Sequence, residues 1–217
     1  MTIAVAVDKP KETSYFKLNN LVNIPTKDGR IQLDKDKEAV RAYFLEHVNE
    51  KTVFFHSLKE KIDYLIENNY IEEWFLNLYD FEFIKEVFDT AYSYKFRFNS
   101  FMGAYKFYNQ YALKTRDGDN FLERYEDRLS FVALYLAQGD ESLALDLINE
   151  LMKGTFTMAT PTTLNAGKSA RGDMVSCFLL STPDFKFCVL KATAWVEISI
   201  MRRLMRCVFY RLKAACK

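Results

Sequence analysis

From Asp36 to Met152 the sequence places its apolar residues three and four apart, segment after segment, with a cap or turn signal between segments. That spacing selects amphipathic helices over strands, whose period is two. A helix is predicted from Asp36 to Val48, with Ala39, Val40, Tyr43, Phe44 and Val48 on one face. Ser57-Leu58-Lys59-Glu60 has the form of a capping box and predicts a helix to about Asn68 with Leu58, Ile62, Leu65 and Ile66 inward. Further helices are predicted from Ile71 to Leu78 and from Phe81 to Tyr94, the latter packing Ile84, Val87, Phe88 and Ala91. Ser100 is placed to cap Phe101 to Leu113, and Arg116-Asp117-Gly118-Asp119 breaks the pattern. Glu123 to Gln138 follows, with Leu129, Val132, Ala133 and Leu136 as its stripe. Gly139 then ends that helix, and Asp140 stands ready to cap Glu141 to Met152. Upstream, Pro25 and the turn Lys27-Asp28-Gly29 make Tyr15 to Leu33 read as extended, and residues 1–14 read as a loose leader. There is no internal repeat or low-complexity segment.

Composition agrees with a packed fold: 49% of residues are hydrophobic and 27% charged. The 13 tyrosines and 19 phenylalanines fall at helical spacing, and are read as core rather than as base-stacking platforms or a radical path. The net charge of +1 hides an asymmetry. Residues 186–217 hold eight Lys or Arg against Glu197 alone, which leaves residues 1–185 acidic on balance. The four cysteines, Cys177, Cys188, Cys207 and Cys216, form no Cys-x-x-Cys pair, and His47 and His56 are the only histidines. No metal site is expected from that set, and both histidines read as helix-end or surface residues. Glu72-Glu73 reads as a solvated helix face. Sparse cysteine suits a reducing cytoplasm. The apolar start Met1 to Val7 lacks the basic leader of a signal peptide, and no run is long enough for a membrane span. Neither a membrane nor nucleic acid is expected as a partner.

The texture changes from Thr160 to Asp184, which reads as loop, strand, loop. Pro161 disfavours helix at Thr160, and Asn165, Gly167 and Gly172 permit turns. The apolar run Val175 to Leu180 predicts a buried strand carrying Cys177 just after the Ser176 hydroxyl. A Thr/Ser/Gly-rich loop offers hydroxyls and bare N–H groups to an anion such as phosphate, and Cys177 could be either a redox thiol or a small buried hydrophobe.

The run Ala159-Thr160-Pro161-Thr162, Leu164-Asn165-Ala166-Gly167, Arg171-Gly172, Val175-Ser176-Cys177-Phe178-Leu179-Leu180 and Asp184 resembles the large subunit of ribonucleotide reductase. It is most similar to the class Ib ribonucleoside-diphosphate reductase alpha chain. Tyr15 to Asn20 and Phe101 to Leu113 resemble the same family, so the likeness spans about Tyr15 to Asp184. It implies a mainly α chain. A helical N-terminal region (15–153) precedes the first segment (154–185) of a ten-stranded α/β barrel that is incomplete here. It also implies substrate contacts at Thr160, Ser176 and Cys177, with Cys177 as one of two thiols that oxidise to a disulfide as the ribose 2′-hydroxyl leaves. Asp184 corresponds to a contact of the deoxynucleotide effector. The reaction implied is reduction of ribonucleoside diphosphates to 2′-deoxyribonucleoside diphosphates. Its implied partners are a small (beta) subunit with a dimetal-tyrosyl radical and a glutaredoxin- or thioredoxin-like reductant. Nucleoside triphosphates act as effectors, and no cofactor is bound by this chain. The N-terminal region is too short for a full ATP-binding cone.

From Phe185 onward the resemblance stops. The family's radical-bearing cysteine, the disulfide partner of Cys177, the tyrosine pair and the C-terminal cysteines have no counterpart, so the chain alone is expected to be inactive. The tail reads as the product of an interrupted gene. Met201, Leu204, Met205, Val208, Phe209 and Leu212 nevertheless make one face of a basic amphipathic helix, which leaves open a non-enzymatic interaction protein.

Overall fold

The computed structural model describes residues 13–22, 24 and 32–176. Among them the regular elements are helices: α1 (Ser14–Val22), α2 (Leu33–Tyr43), α3 (Leu58–Glu67), α4 (Phe81–Ser93), α5 (Phe101–Lys106), α6 (Tyr125–Ala137), α7 (Glu141–Lys153) and α8 (Thr160–Asn165). Extended pairing is confined to three isolated bridges. The chain forms two compact units, each assembled from separate stretches of sequence.

The first unit takes residues 1–54 and 96–123. Its core is aromatic. Tyr43 of α2 and Phe101 of α5 are fully buried and meet edge to face at 5.5 Å, and Tyr15 of α1 packs on Tyr43 at 5.1 Å. Burial pushes the Tyr43 hydroxyl well above the usual tyrosine range. The start of α5 is set by two side chains. Ser100 Oγ accepts the Gly103 N–H at 3.2 Å, as the cap prediction requires, and Asp36 Oδ1 accepts the Phe101 N–H at 2.8 Å. Both α2 and α5 widen into π-helical turns, Phe44–Val48 and Phe107–Tyr111, so the helix predicted to Leu113 ends instead with Ala112 N–H donating to the Phe107 carbonyl. The reading of Tyr15 to Leu33 as extended is corrected at its start, where residues 14–22 are helical and bury Tyr15. The breaker at Pro25 lies outside the described residues.

The second unit takes residues 55–95 and the chain from Arg124. Helix α6 is its centre. Asp127 to Tyr135 are all buried, so α6 is enclosed around its whole circumference rather than along the one stripe predicted. Phe88 of α4 meets Phe131 edge to face at 5.1 Å, and α7 contributes Ala144, Ile148 and Leu151. Asp127 closes the N-terminus of α6 by accepting from the Arg124 N–H at 2.8 Å, from the Tyr92 hydroxyl at 2.8 Å, and from Lys61 of α3. The Tyr79 hydroxyl closes the other end, donating to the Leu134 carbonyl at 2.9 Å and accepting the Gly139 N–H at 2.8 Å. The predicted caps at Ser57 and Asp140 form, receiving the Glu60 and Leu143 N–H groups. The Glu60 carboxylate bonds the His56 N–H, one residue ahead of the predicted box. The helix predicted over Ile71 to Leu78 is corrected to a bridge at Ile71 and a 3-10 turn at Leu76–Leu78, because Ile71 and Glu72 give their backbones to the segment around Gly167 instead.

Candidate functional site

The segment from Thr160 to Ser176 is held to the second unit by bonds from residues far away in sequence. Helix α8 starts at Thr160, so the expected loop is corrected to a short helix. Pro161 sits in its first turn, where the missing N–H has no intrahelical partner to lose. Asn165 ends the helix and Gly167 turns the chain at φ +74°. The next residues stitch onto residues 70–72. Glu72 N–H donates to the Gly167 carbonyl at 2.9 Å, Ser169 N–H donates to the Tyr70 carbonyl at 3.1 Å, and Lys168 bridges Ile71. The guanidinium of buried Arg128 donates to the Ala166 carbonyl.

The return arm is held by side chains. Asn165 is 5% exposed and uses both ends of its amide: Nδ2 donates to the Asp173 carbonyl at 3.1 Å, and Oδ1 accepts the Gly172 N–H at 3.3 Å. Arg171 donates to the Tyr135 hydroxyl, lies over that ring at 5.3 Å from its centroid, and approaches Glu72 Oε1 at 3.3 Å. Trp74 Nε1 donates to the other Glu72 oxygen at 2.8 Å. Glu72, read as a solvated acid on a helix face, is therefore an anchor outside any helix. Sequence reasoning missed Arg171, Tyr135 and Glu72 as a group because no local spacing links positions so far apart.

Thr160 and Ser176 stand at the two open ends of this segment, and both are exposed. Thr162 Oγ1 lies 3.5 Å from the Met174 carbonyl, the outer limit for a bond, where the outgoing and return arms come closest to that open end. The buried strand predicted at Val175 is corrected at its first two residues. Val175 and Ser176 are exposed and irregular, and among the described residues no strand pairs them. Cys177 and Asp184 lie outside the described residues, as does the predicted amphipathic helix of the tail. An open depression of about 440 Å³ along α4, lined by Glu82, Glu86 and Asp89 among others, includes neither Thr160 nor Ser176. Among the described residues no three His, Cys, Asp or Glu side chains are grouped to hold a metal ion, and no helix is long and apolar enough to cross a membrane.

Two family models account for this stretch. Residues 15–96 match "Ribonucleotide reductase N-terminal" and residues 97–171 match "Ribonucleotide reductase, all-alpha domain". The chain belongs to the ribonucleotide reductase large-subunit family. The ribonucleoside-diphosphate reductase subunit alpha of Bacillus subtilis is 58% identical to it over 170 residues, which cover 78% of this chain and 24% of the relative. That of Mycoplasma pneumoniae is 50% identical over 171 residues, covering 79% and 23%. A more distant relative, from Helicobacter pylori, is 28% identical over 145 residues, covering 65% and 18%. The chain spans about a quarter or less of the length of these relatives. Its helical architecture agrees with the all-alpha description of the second match, which runs to residue 171 and so into the segment 154–185 expected to open the barrel; of that segment residues 154–176 are described, and they contain no strand.

Proposed function

We propose that this chain supplies the N-terminal, helical part of a class Ib ribonucleoside-diphosphate reductase alpha subunit, and that the Thr160 to Ser176 segment is its contact with the substrate diphosphate. The observation that carries the reading is the contrast within that segment. Its middle is tied down by Asn165, Gly167 and Arg171, while the hydroxyl-bearing residues at its ends are left exposed. A hydroxyl held on a fixed backbone donates to a phosphate oxygen with little ordering left to be done on binding. Cys177, next to Ser176, is then one thiol of the reducing pair, and Asp184 meets the deoxynucleotide effector. A small subunit carrying the dimetal-tyrosyl radical and a glutaredoxin- or thioredoxin-like protein complete the chemistry. A redox thiol of this kind works in the reducing cytoplasm.

Within the stretch that resembles the family, Cys177 is the sole thiol. Disulfide formation releases two electrons from two thiols, so this stretch by itself cannot complete a turnover. Equilibrium dialysis of CDP against the chain tests the contact. Binding is expected, and Thr160→Ala with Ser176→Ala is expected to weaken it roughly tenfold, the effect of losing one or two hydrogen bonds to a charged group. Unchanged binding in the double variant would remove the substrate reading. Formation of dCDP by the chain with only the small subunit and a dithiol would overturn its dependence on further residues.

A further inference from the structure

Helix α8 and the return arm run out and back from the turn at Gly167, and one side chain joins them directly. Asn165, the last residue of α8, is buried, and its amide meets backbone groups of two adjacent residues in the return arm. Nδ2 donates to the Asp173 carbonyl at 3.1 Å, and Oδ1 accepts the Gly172 N–H at 3.3 Å. These partners are opposite in kind. A carbonyl only accepts and an N–H only donates, so the side chain between them must present one donor and one acceptor. An asparagine amide does so, a carboxylate lacks the donor, and alanine lacks both. The Asn165 carbonyl also accepts the Lys168 N–H at 3.1 Å, which holds the residue to the turn itself.

The other anchors of the segment act differently. Arg128 holds the outgoing side at the Ala166 carbonyl, and Arg171 holds the return arm at Tyr135 and Glu72. Each of these ties one arm to a distant element and leaves the separation between the arms unset. The second direct link, from Thr162 Oγ1 to the Met174 carbonyl, stands at 3.5 Å and is weak. Thr160 and Asn165 lie in one short helix, and Asp173 is three residues from Ser176. The Asn165 amide is therefore the firmest direct connection through which the place of Ser176 is set against that of Thr160.

We propose that Asn165 is a positioning residue, whose amide clamps the return arm to α8 and so fixes the Ser176 hydroxyl relative to that of Thr160. The task of those two hydroxyls rests on the substrate reading proposed for this segment, whereas the clamp is a property of the segment and is measured separately. Asn165 itself touches no substrate and acts through the two hydroxyls. Arms fixed beforehand spare a diphosphate the ordering it would otherwise have to impose on them.

Two measurements on the full 217-residue chain test the clamp and its purpose. The first needs no ligand and follows amide hydrogen exchange residue by residue by NMR. Gly172 is expected to exchange roughly tenfold faster in Asn165→Ala than in the parent, the effect of losing one hydrogen bond. Asn165→Asp keeps an acceptor, so it is expected to leave Gly172 protected and to lose only the bond to Asp173. Glu72, whose N–H donates to the Gly167 carbonyl, is the control and is expected to exchange alike in all three chains. Unchanged Gly172 exchange in Asn165→Ala would overturn the clamp. The second measurement is equilibrium dialysis of CDP arranged as a mutant cycle. Each Asn165 variant is expected to weaken binding roughly tenfold in the parent, and to add nothing in a chain already carrying Thr160→Ala with Ser176→Ala. Should Glu72 exchange faster in Asn165→Ala, the near-isosteric Asn165→Asp carries the cycle. Equal losses in the two backgrounds would overturn positioning, because Asn165 would then act without the hydroxyls. Absence of CDP binding by the parent would remove the substrate reading, and Gly172 exchange alone would then decide whether Asn165 fixes the arms.

Discussion

Asp127 is the residue on which most of the second unit's buried polar chemistry depends. Its carboxylate is 2% exposed and accepts from the Arg124 N–H, the Tyr92 hydroxyl and the Lys61 ammonium, which is itself only 12% exposed. Burial first, and then the Asp127 charge beside it, push the Tyr92 hydroxyl far above the usual tyrosine range, so that hydroxyl stays a donor at any physiological pH. Removing the acceptor leaves a buried ammonium uncompensated. Asp127→Ala is therefore expected to cost about 3–5 kcal/mol in urea unfolding, a large part of a typical domain's stability. Asp127→Asn loses the charge and one of the two acceptor oxygens but keeps the other, so it is expected to cost roughly 1–3 kcal/mol. Equal losses in the two variants would show that the charge, which both remove, holds the site and that the remaining amide oxygen contributes nothing. His47 gives the first unit a pH dependence. Its folded value lies below the ordinary 6.5, so as pH falls through that value the unfolded chain takes up a proton before the folded one does. The stability owed to the neutral ring is present above the unfolded value and is lost as pH falls through it toward the folded value. In phosphate-free buffer, thermal unfolding of His47→Gln is expected to depend less on pH below neutrality than that of the parent chain. Parallel pH profiles would refute this.

At the scale of the element, the turn between α8 and the return arm rests on Gly167. Its φ of +74° is left-handed, and a Cβ there would come within 2.9 Å of Phe75 Cζ. Phe75 is fully buried, and its ring meets Tyr135 edge to face at 5.4 Å, so it has no room to withdraw. Gly167→Ala is expected to cost roughly 2–4 kcal/mol, the backbone penalty plus overpacking. Gly154, which ends α7, has the same φ of +74° but nothing within 4 Å of the added atom. Gly154→Ala is expected to cost only about 1–2 kcal/mol, the backbone penalty alone. Differential scanning calorimetry of the pair checks the argument. Equal Tm losses would mean that Phe75 yields and that the turn is not sterically fixed.

At the scale of the whole molecule, the two units differ in how they bury their helices. The second is built around α6, enclosed on every side, and the first around an aromatic cluster shared by α1, α2 and α5. Amides deep in α6, from Leu129 to Ala133, are expected to exchange with solvent only through global opening and to be the slowest in the chain. Those of α1, where Tyr15 is the one buried residue, are expected to exchange by local fraying. Hydrogen exchange read by mass spectrometry checks this, and comparable protection in α1 and α6 would refute it.

By itself the sequence determined the helical class and the inward faces of α3 and α4. It also determined the caps at Ser57, Ser100 and Asp140, each of which acts across three residues. Spacing and capping are local, so they survive without knowledge of the fold. The order of motifs from Tyr15 to Asp184 carried the family as well, and the two family matches agree with it. Tertiary structure alone decided the rest. It divided the chain into two units whose sequence stretches alternate, joined Lys61 to Asp127 across 66 positions, and set Arg171 on Tyr135 across 36. It turned Glu72 from a surface acid into an anchor and made Pro161 a first-turn residue rather than a breaker. Local periodicity reports which face of a helix is apolar but not which distant backbone will supply its hydrogen bonds. Those partners are chosen by burial, where an unmet polar group costs more than any local preference returns.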